Sequence, residues 1–116
     1  MKLAVITLVA MIGLTLTAQQ QVYDAGNGVT LPVLVKEVKP EYTPGAKAKK
    51  IQGSVVLTSV VLTDGRVGDV AVVKSLDAEL DQQAITAMKQ WEFKPGMREG
   101  KPVAVRISCE LTFTLR

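Results

Sequence analysis

The sequence predicts an α+β domain, a three-stranded antiparallel sheet with two helices packed on one face. Three observations predict it. Val103 to Leu115 alternates apolar and polar residues almost without error, as a strand does with one face on a core and one in water. Asp64-Gly65 separates two runs rich in β-branched residues, Ser54–Leu62 and Val67–Ser75, which is the signature of a hairpin. Leu80, Ala84, Ala87, Met88 and Trp91 recur at helical spacing. With a short helix ahead of the hairpin, the order is helix, strand, strand, helix, strand. If the first strand runs up, the third runs down and can pair antiparallel with it, giving the spatial order second, first, third.

Size and composition narrow the function. The 116 residues suffice for one domain with one modest core. Net charge is +3, or +2 without Lys2, too weak to argue for nucleic acid or an anionic membrane surface. The chain has no histidine, so the usual general base and the commonest metal ligand are both missing. No nucleophile–base pair or ligand cluster is visible either, so the reading is a non-enzymatic binding domain with no catalytic residue, metal or cofactor. Cys109 is the single cysteine, which excludes an internal disulfide.

Residues 1–18 form an export signal. Lys2 supplies the positive start and Leu3 to Leu16 an apolar stretch, shorter than a bilayer span and interrupted by Thr7, Gly13 and Thr15. Cleavage after Ala18 would put Leu16 where a small residue is preferred, so cleavage and retention as a short anchor both stay open. Either outcome sends the rest out of the cytoplasm. Residues 19–31 are expected to be a linker, with Asp24, Gly26, Asn27 and Gly28 as breakers. The domain then runs over residues 32–116. Val29 to Val38 is extended, and Pro32 limits it to an edge.

Thr43 is placed to cap a short helix from Pro44 to Ile51, with proline at a first-turn position that lacks an amide partner anyway. Gly53 is expected to stop it. Its lysines, Lys47, Lys49 and Lys50, are a solvated face rather than an anion site. Thr63-Asp64-Gly65-Arg66 is read as a tight two-residue hairpin turn, and Asp64 as turn chemistry, not catalysis. The second helix spans Leu80 to Trp91, with Asp77 and Glu79 at its start, where negative charge suits the helix dipole. Trp91 and Phe93 lead into an extended segment that covers the end of the core, and Gly96 to Lys101 is a polar loop. In the last strand Val103, Val105, Ile107, Cys109, Leu111, Phe113 and Leu115 share the core face. Ala104, Arg106, Ser108, Glu110, Thr112 and Thr114 share the other. Cys109 is a small buried hydrophobe, since nothing cationic is placed to lower its pKa.

This order leaves the long C-terminal strand at a sheet edge. Such an edge is a liability unless something covers or uses it, and it can accept an extended peptide as an added strand.

Several short runs resemble one family in order and spacing. Pro40-Glu41-Tyr42-Thr43-Pro44 is similar to its P-x-Y-P-x-x-A opening, and Ile51-Gln52-Gly53-Ser54-Val55 to its I-x-G-x-V. Asp64-Gly65-Arg66-Val67, Leu80-Asp81-Gln82-Gln83-Ala84, Trp91-Glu92-Phe93-Lys94-Pro95 and Gly100-Lys101-Pro102-Val103 complete the series. Together they resemble the C-terminal domain of TonB energy transducers across about residues 32 to 116. The resemblance implies docking on TonB-dependent outer-membrane receptors of Gram-negative bacteria, whose extended TonB-box segment pairs with the last strand. The implied peptide-binding residues are Arg106, Ser108, Glu110, Thr112 and Thr114 on that strand, and Lys39, Pro40, Glu41 and Tyr42 before the first helix. It also implies an inner-membrane motor of the ExbB-ExbD type.

Two departures bear on this. The stretch from Gln19 to Gly28 reaches at most about 35 Å and holds no proline, where the family carries a long Pro-rich spacer. No anchor-helix histidine is present to couple to a motor. Open readings are therefore a transducer or close relative, a soluble periplasmic modulator competing for receptors, and a structural or regulatory module. The last pairs its edge strand with a second copy, as a homodimer, or with another protein.

Overall fold

The computed structural model describes residues 21–115. The export signal expected over residues 1–18 lies outside the described residues. Among the described residues no helix is long and apolar enough to cross a membrane.

Among the described residues nine elements follow in order: β1 (Val22–Tyr23), β2 (Val33–Lys36), α1 (Pro44–Ala48), β3 (Gly53–Val61), β4 (Ala71–Lys74), α2 (Ala78–Met88), β5 (Glu92–Lys94), β6 (Gly96–Arg98) and β7 (Lys101–Phe113). The expected three-stranded antiparallel sheet stands at the centre: β3 lies between β4 and β7, in the spatial order second, first, third. β3 and β7 pair from Gly53↔Phe113 to Val61↔Val105. Four short strands extend the architecture. β1 pairs parallel with β7, β6 pairs with the start of β7, and β2 pairs with β5 as a separate ribbon.

The core sits between this sheet and the two helices. Val55, Leu57 and Val61 of β3 meet Ile107, Leu111 and Phe113 of β7, Ala46 of α1, and Leu80, Ala84 and Met88 of α2. Leu57, Leu80 and Met88 are wholly buried, and each such burial contributes about 1.5–3 kcal/mol. The helical stripe read from the sequence is buried in full, including Ala87 and Trp91.

Element ends differ from the expectation for local reasons. Helix α1 stops at Ala48, three residues early. Lys50 adopts φ 56°, the Ile51 amide reaches the Ala46 carbonyl at 3.0 Å, and the Lys50 amide reaches Lys47 at 3.0 Å. That is a Schellman close with lysine in the usual glycine position. Helix α2 begins two residues before Leu80, because the Asp77 carboxylate caps the Leu80 amide at 3.2 Å. It ends at Met88, and Trp91 belongs to the turn beyond it. Asp81 ties down the preceding turn by accepting from the amides of Leu76 and Asp77 and from the Ser75 hydroxyl.

The two turns exchange roles. The Asp64-Gly65 turn is a three-residue loop, not the two-residue turn expected. The Gly65 amide donates to the Leu62 carbonyl at 2.9 Å and the Leu62 amide to Arg66 at 2.8 Å, with positive φ (87°) at Gly65 alone. A Cβ there would collide with the Phe93 carbonyl, so glycine is required twice over. Conversely, the expected polar loop at Gly96–Lys101 is a hairpin. Arg98 opposes Lys101, and Glu99 and Gly100 both take positive φ, as a mirror-image two-residue turn demands. The second hairpin strand, expected over Val67–Ser75, is an isolated bridge at Val67 followed by β4, with a register shift between Val56 and Leu57.

Candidate functional site

The two edges of β7 can be told apart from hydrogen bonds on β3. The Gly68 amide donates to the Val60 carbonyl at 2.8 Å on the β4 side, so even-numbered β3 residues face β4 and odd-numbered ones face β7, since successive residues of a strand alternate. In the observed register the odd residues of β7 therefore bond to β3. Arg106, Ser108, Glu110 and Thr112 turn their main-chain groups to the outer edge.

That outer edge is not wholly free. Val22 lies opposite Ala104 and Tyr23 opposite Val105. The stretch expected to be a linker thus carries a strand laid on the candidate edge. Val29 to Val38 does not occupy it, because its strand, β2, pairs with β5. The Arg106 guanidinium donates to the Asp24 carboxylate at 2.9 Å, and the Arg98 guanidinium lies 5.3 Å from the Tyr23 ring centre. From Ser108 to Phe113 no described strand pairs with the outer edge.

Beside this open stretch runs a groove of about 510 Å³. It brings Lys39, Pro40 and Tyr42 together with Glu110, Thr112 and Thr114, residues about 70 positions apart in the chain. Glu41 lines an adjoining hollow with Lys39 and Pro40. Arg106 and Ser108 lie further back along β7, outside the groove. Arg106, Ser108, Glu110 and Thr112 of β7 are exposed, as is Thr114 just past its end.

Packing explains why the two segments meet. The Tyr42 ring stands edge-on to Phe113, with centres 5.5 Å apart and planes at 72°. Its hydroxyl donates to the Ile51 carbonyl, and Lys47 Nζ lies 5.8 Å from the ring centre. Thr43 accepts from the Ala46 amide at 3.2 Å and donates to Glu79 at 2.7 Å, which joins the start of α1 to α2. Glu37 and Trp91 also line the groove and were not foreseen there. The legible signal was the indole: a buried Trp N–H needs an acceptor, and Trp91 finds the Val38 carbonyl at 2.8 Å. That bond holds the segment leading into Lys39 against the end of α2.

Chemically the arrangement is suited to holding an extended chain. It offers main-chain donors and acceptors along one side and aromatic walls with charges of both signs, Lys39, Glu37 and Glu110, on the other. Cys109 is half-buried in the partly covered layer around the core, and burial pushes its thiol above the ordinary value. It is therefore the neutral thiol at pH 7.

Comparison with known proteins places the chain in a family and a fold. The family model described as Gram-negative bacterial TonB protein C-terminal matches residues 38–115. The chain is similar to the TonB protein of Vibrio cholerae, 36% identical over 89 residues, covering 75% of this chain and 36% of that protein. It is similar also to TonB of Xanthomonas campestris pv. campestris (31% over 90 residues, 76% and 40%) and of Escherichia coli K12 (29% over 84 residues, 72% and 35%). The chain spans two fifths or less of the length of these relatives. The solution NMR structure of the Pseudomonas aeruginosa TonB CTD shares the fold, with a TM-score of 0.62 at 24% identity over 85% of this chain and 97% of that one.

Proposed function

The chain belongs to the Gram-negative bacterial TonB C-terminal family, and from that premise we propose that it binds the TonB-box segment of outer-membrane receptors. Binding occurs by strand addition to the outer edge of β7, in the periplasm, as a step in energy transduction for transmembrane transport. An inner-membrane motor of the ExbB-ExbD type is the corresponding partner on the other side. The observation that carries this reading is the open edge from Ser108 to Phe113 lying beside the groove of Lys39, Pro40 and Tyr42.

Main-chain pairing makes few demands on side chains, so one domain can serve many receptors. It also resists pulling along the strand, because several hydrogen bonds must shear together. The outward-facing groups of Ser108, Glu110 and Thr112 supply the ladder, and the groove receives side chains of the added strand.

Titration with a TonB-box peptide tests this by NMR. Shifts at Val103–Leu115 and Lys39–Tyr42 are expected. Absence of any shift at millimolar peptide would sink the assignment. The open edge also favours a second reading, a structural or regulatory periplasmic module whose β7 pairs with another copy. A concentration-dependent dimer in sedimentation that the peptide fails to dissociate would support that module instead.

A further inference from the structure

We infer that Val22–Asp24 is an internal competitor for the edge of β7, which a docking peptide must displace from Ala104–Arg106. This rests on the strand-addition reading above and concerns how that site is regulated.

The register sets out the competition. Val22 lies opposite Ala104 and Tyr23 opposite Val105, and even-numbered β7 residues face outward. In a parallel ladder one residue bonds to the two that flank its opposite, so Tyr23 addresses Ala104 and Arg106. The first outward amide of the open stretch, that of Arg106, is therefore already engaged by the chain itself. Asp24 then meets the Arg106 guanidinium at 2.9 Å, and Tyr23 lies under Arg98. Main chain and side chain of Arg106 are held by the same three-residue segment.

That segment is built to leave. Its ladder is two residues long, and Val22 and Asp24 are exposed. The Arg106–Asp24 pair is open to solvent on both sides, so screening and competition by water weaken it. Immediately after it, Gly26 and Gly28 take φ of 107° and 88°, and the Gly26 and Val29 main chains bond to each other both ways at 2.8 and 3.1 Å. Val29 is buried and anchors the return. The turn at Gly26–Val29 thus forms a fixed point from which Val22–Asp24 can lift off while the rest of the domain keeps its packing.

The full chain, Tyr23→Pro and Asp24→Ala are compared in titrations with a TonB-box peptide. Proline at position 23 removes the amide that faces Ala104. If the competitor is real, both variants bind tighter, Tyr23→Pro by about threefold or more, because apparent affinity scales with the fraction of open edge. The Asp24→Ala gain shrinks in high salt. In the unsubstituted chain, the amide signals of Val22–Asp24 move toward random-coil positions as peptide is added. Equal affinities in all three proteins with unmoved Val22–Asp24 signals would overturn the competitor while leaving docking intact. No binding by any of them would overturn the docking reading and the competitor with it.

Discussion

β7 is a single strand of 13 residues, yet its two halves have different surroundings. The first half, Lys101 to Val105, is covered. β6 pairs with Lys101–Val103 on the edge that β3 takes further along, and β1 with Ala104–Val105 on the outer edge. The second half, from Arg106 to Phe113, keeps β3 on its inner side and an open outer edge past Arg106. Side-chain alternation runs through both halves, but Ala104 is 1% exposed while Ser108 and Glu110, on the same face, are exposed. Which side chains face the core is a property of the strand, whereas which backbone groups are free is a property of its neighbours.

The largest expected effect breaks both halves together. Phe113 is 3% exposed and packs on Tyr42. Phe113→Asp should cost more than the about 3–5 kcal/mol of a buried Phe→Ala change, since it also buries an unpaired carboxylate. Loss of the cooperative thermal transition is the expected result. Retention of a sharp transition would show that the end of β7 is not part of the core.

A second change acts on the covered half alone. A Cβ on Gly96 would lie 2.5 Å from Val105 Cγ2 and 2.6 Å from the Thr30 carbonyl. Gly96→Ala should destabilise by about 1–3 kcal/mol, as overpacking does, measured by urea unfolding. Peptide binding per folded molecule should hold, because the open half is untouched.

Ser108→Pro acts on the open half alone. It deletes an outward donor without touching the β3 ladder. Stability should change little, and affinity for a TonB-box peptide should fall about three- to tenfold, the weight of one hydrogen bond of about 0.5–1.5 kcal/mol. Arg106→Pro is the poorer test because the Arg106 amide faces β1. Equal loss of stability in Ser108→Pro and Gly96→Ala would erase the distinction between the halves.

The smallest effect is a control outside β7. Burial raises the Asp81 pKa, but bonds from Ser75, Leu76 and Asp77 outweigh that and hold it below 3.8. A depressed folded pKa gives stability above the unfolded value, lost as pH falls through the folded one. The stability gap between the unsubstituted chain and Asp81→Asn should therefore close below about pH 3.8. A gap that instead widened on acidification would contradict the role of Asp81 in tying down the turn before α2.

Much of this was legible locally. The period-3.6 stripe from Leu80 to Trp91 and the period-2 alternation of Val103 to Leu115 specify which faces are buried, because burial faces are set by side-chain geometry within one element. Thr43 and Asp77 announced the helix starts for the same reason. Turn geometry was less legible. Asp64-Gly65 and Glu99-Gly100 both end in glycine, and the Phe93 carbonyl pressed against Gly65 is supplied from 28 positions along the chain.

By itself, then, the sequence determined the element order, the central strand order, the core faces and the two segments on which a site is expected. Tertiary structure alone decided that Lys39, Pro40 and Tyr42 share a groove with Glu110, Thr112 and Thr114, and that β1 rather than β2 lies on the edge of β7. The physical reason is that backbone pairing carries almost no side-chain signature. Two residues such as Val22 and Tyr23 look like linker until a neighbouring strand offers them unpaired groups.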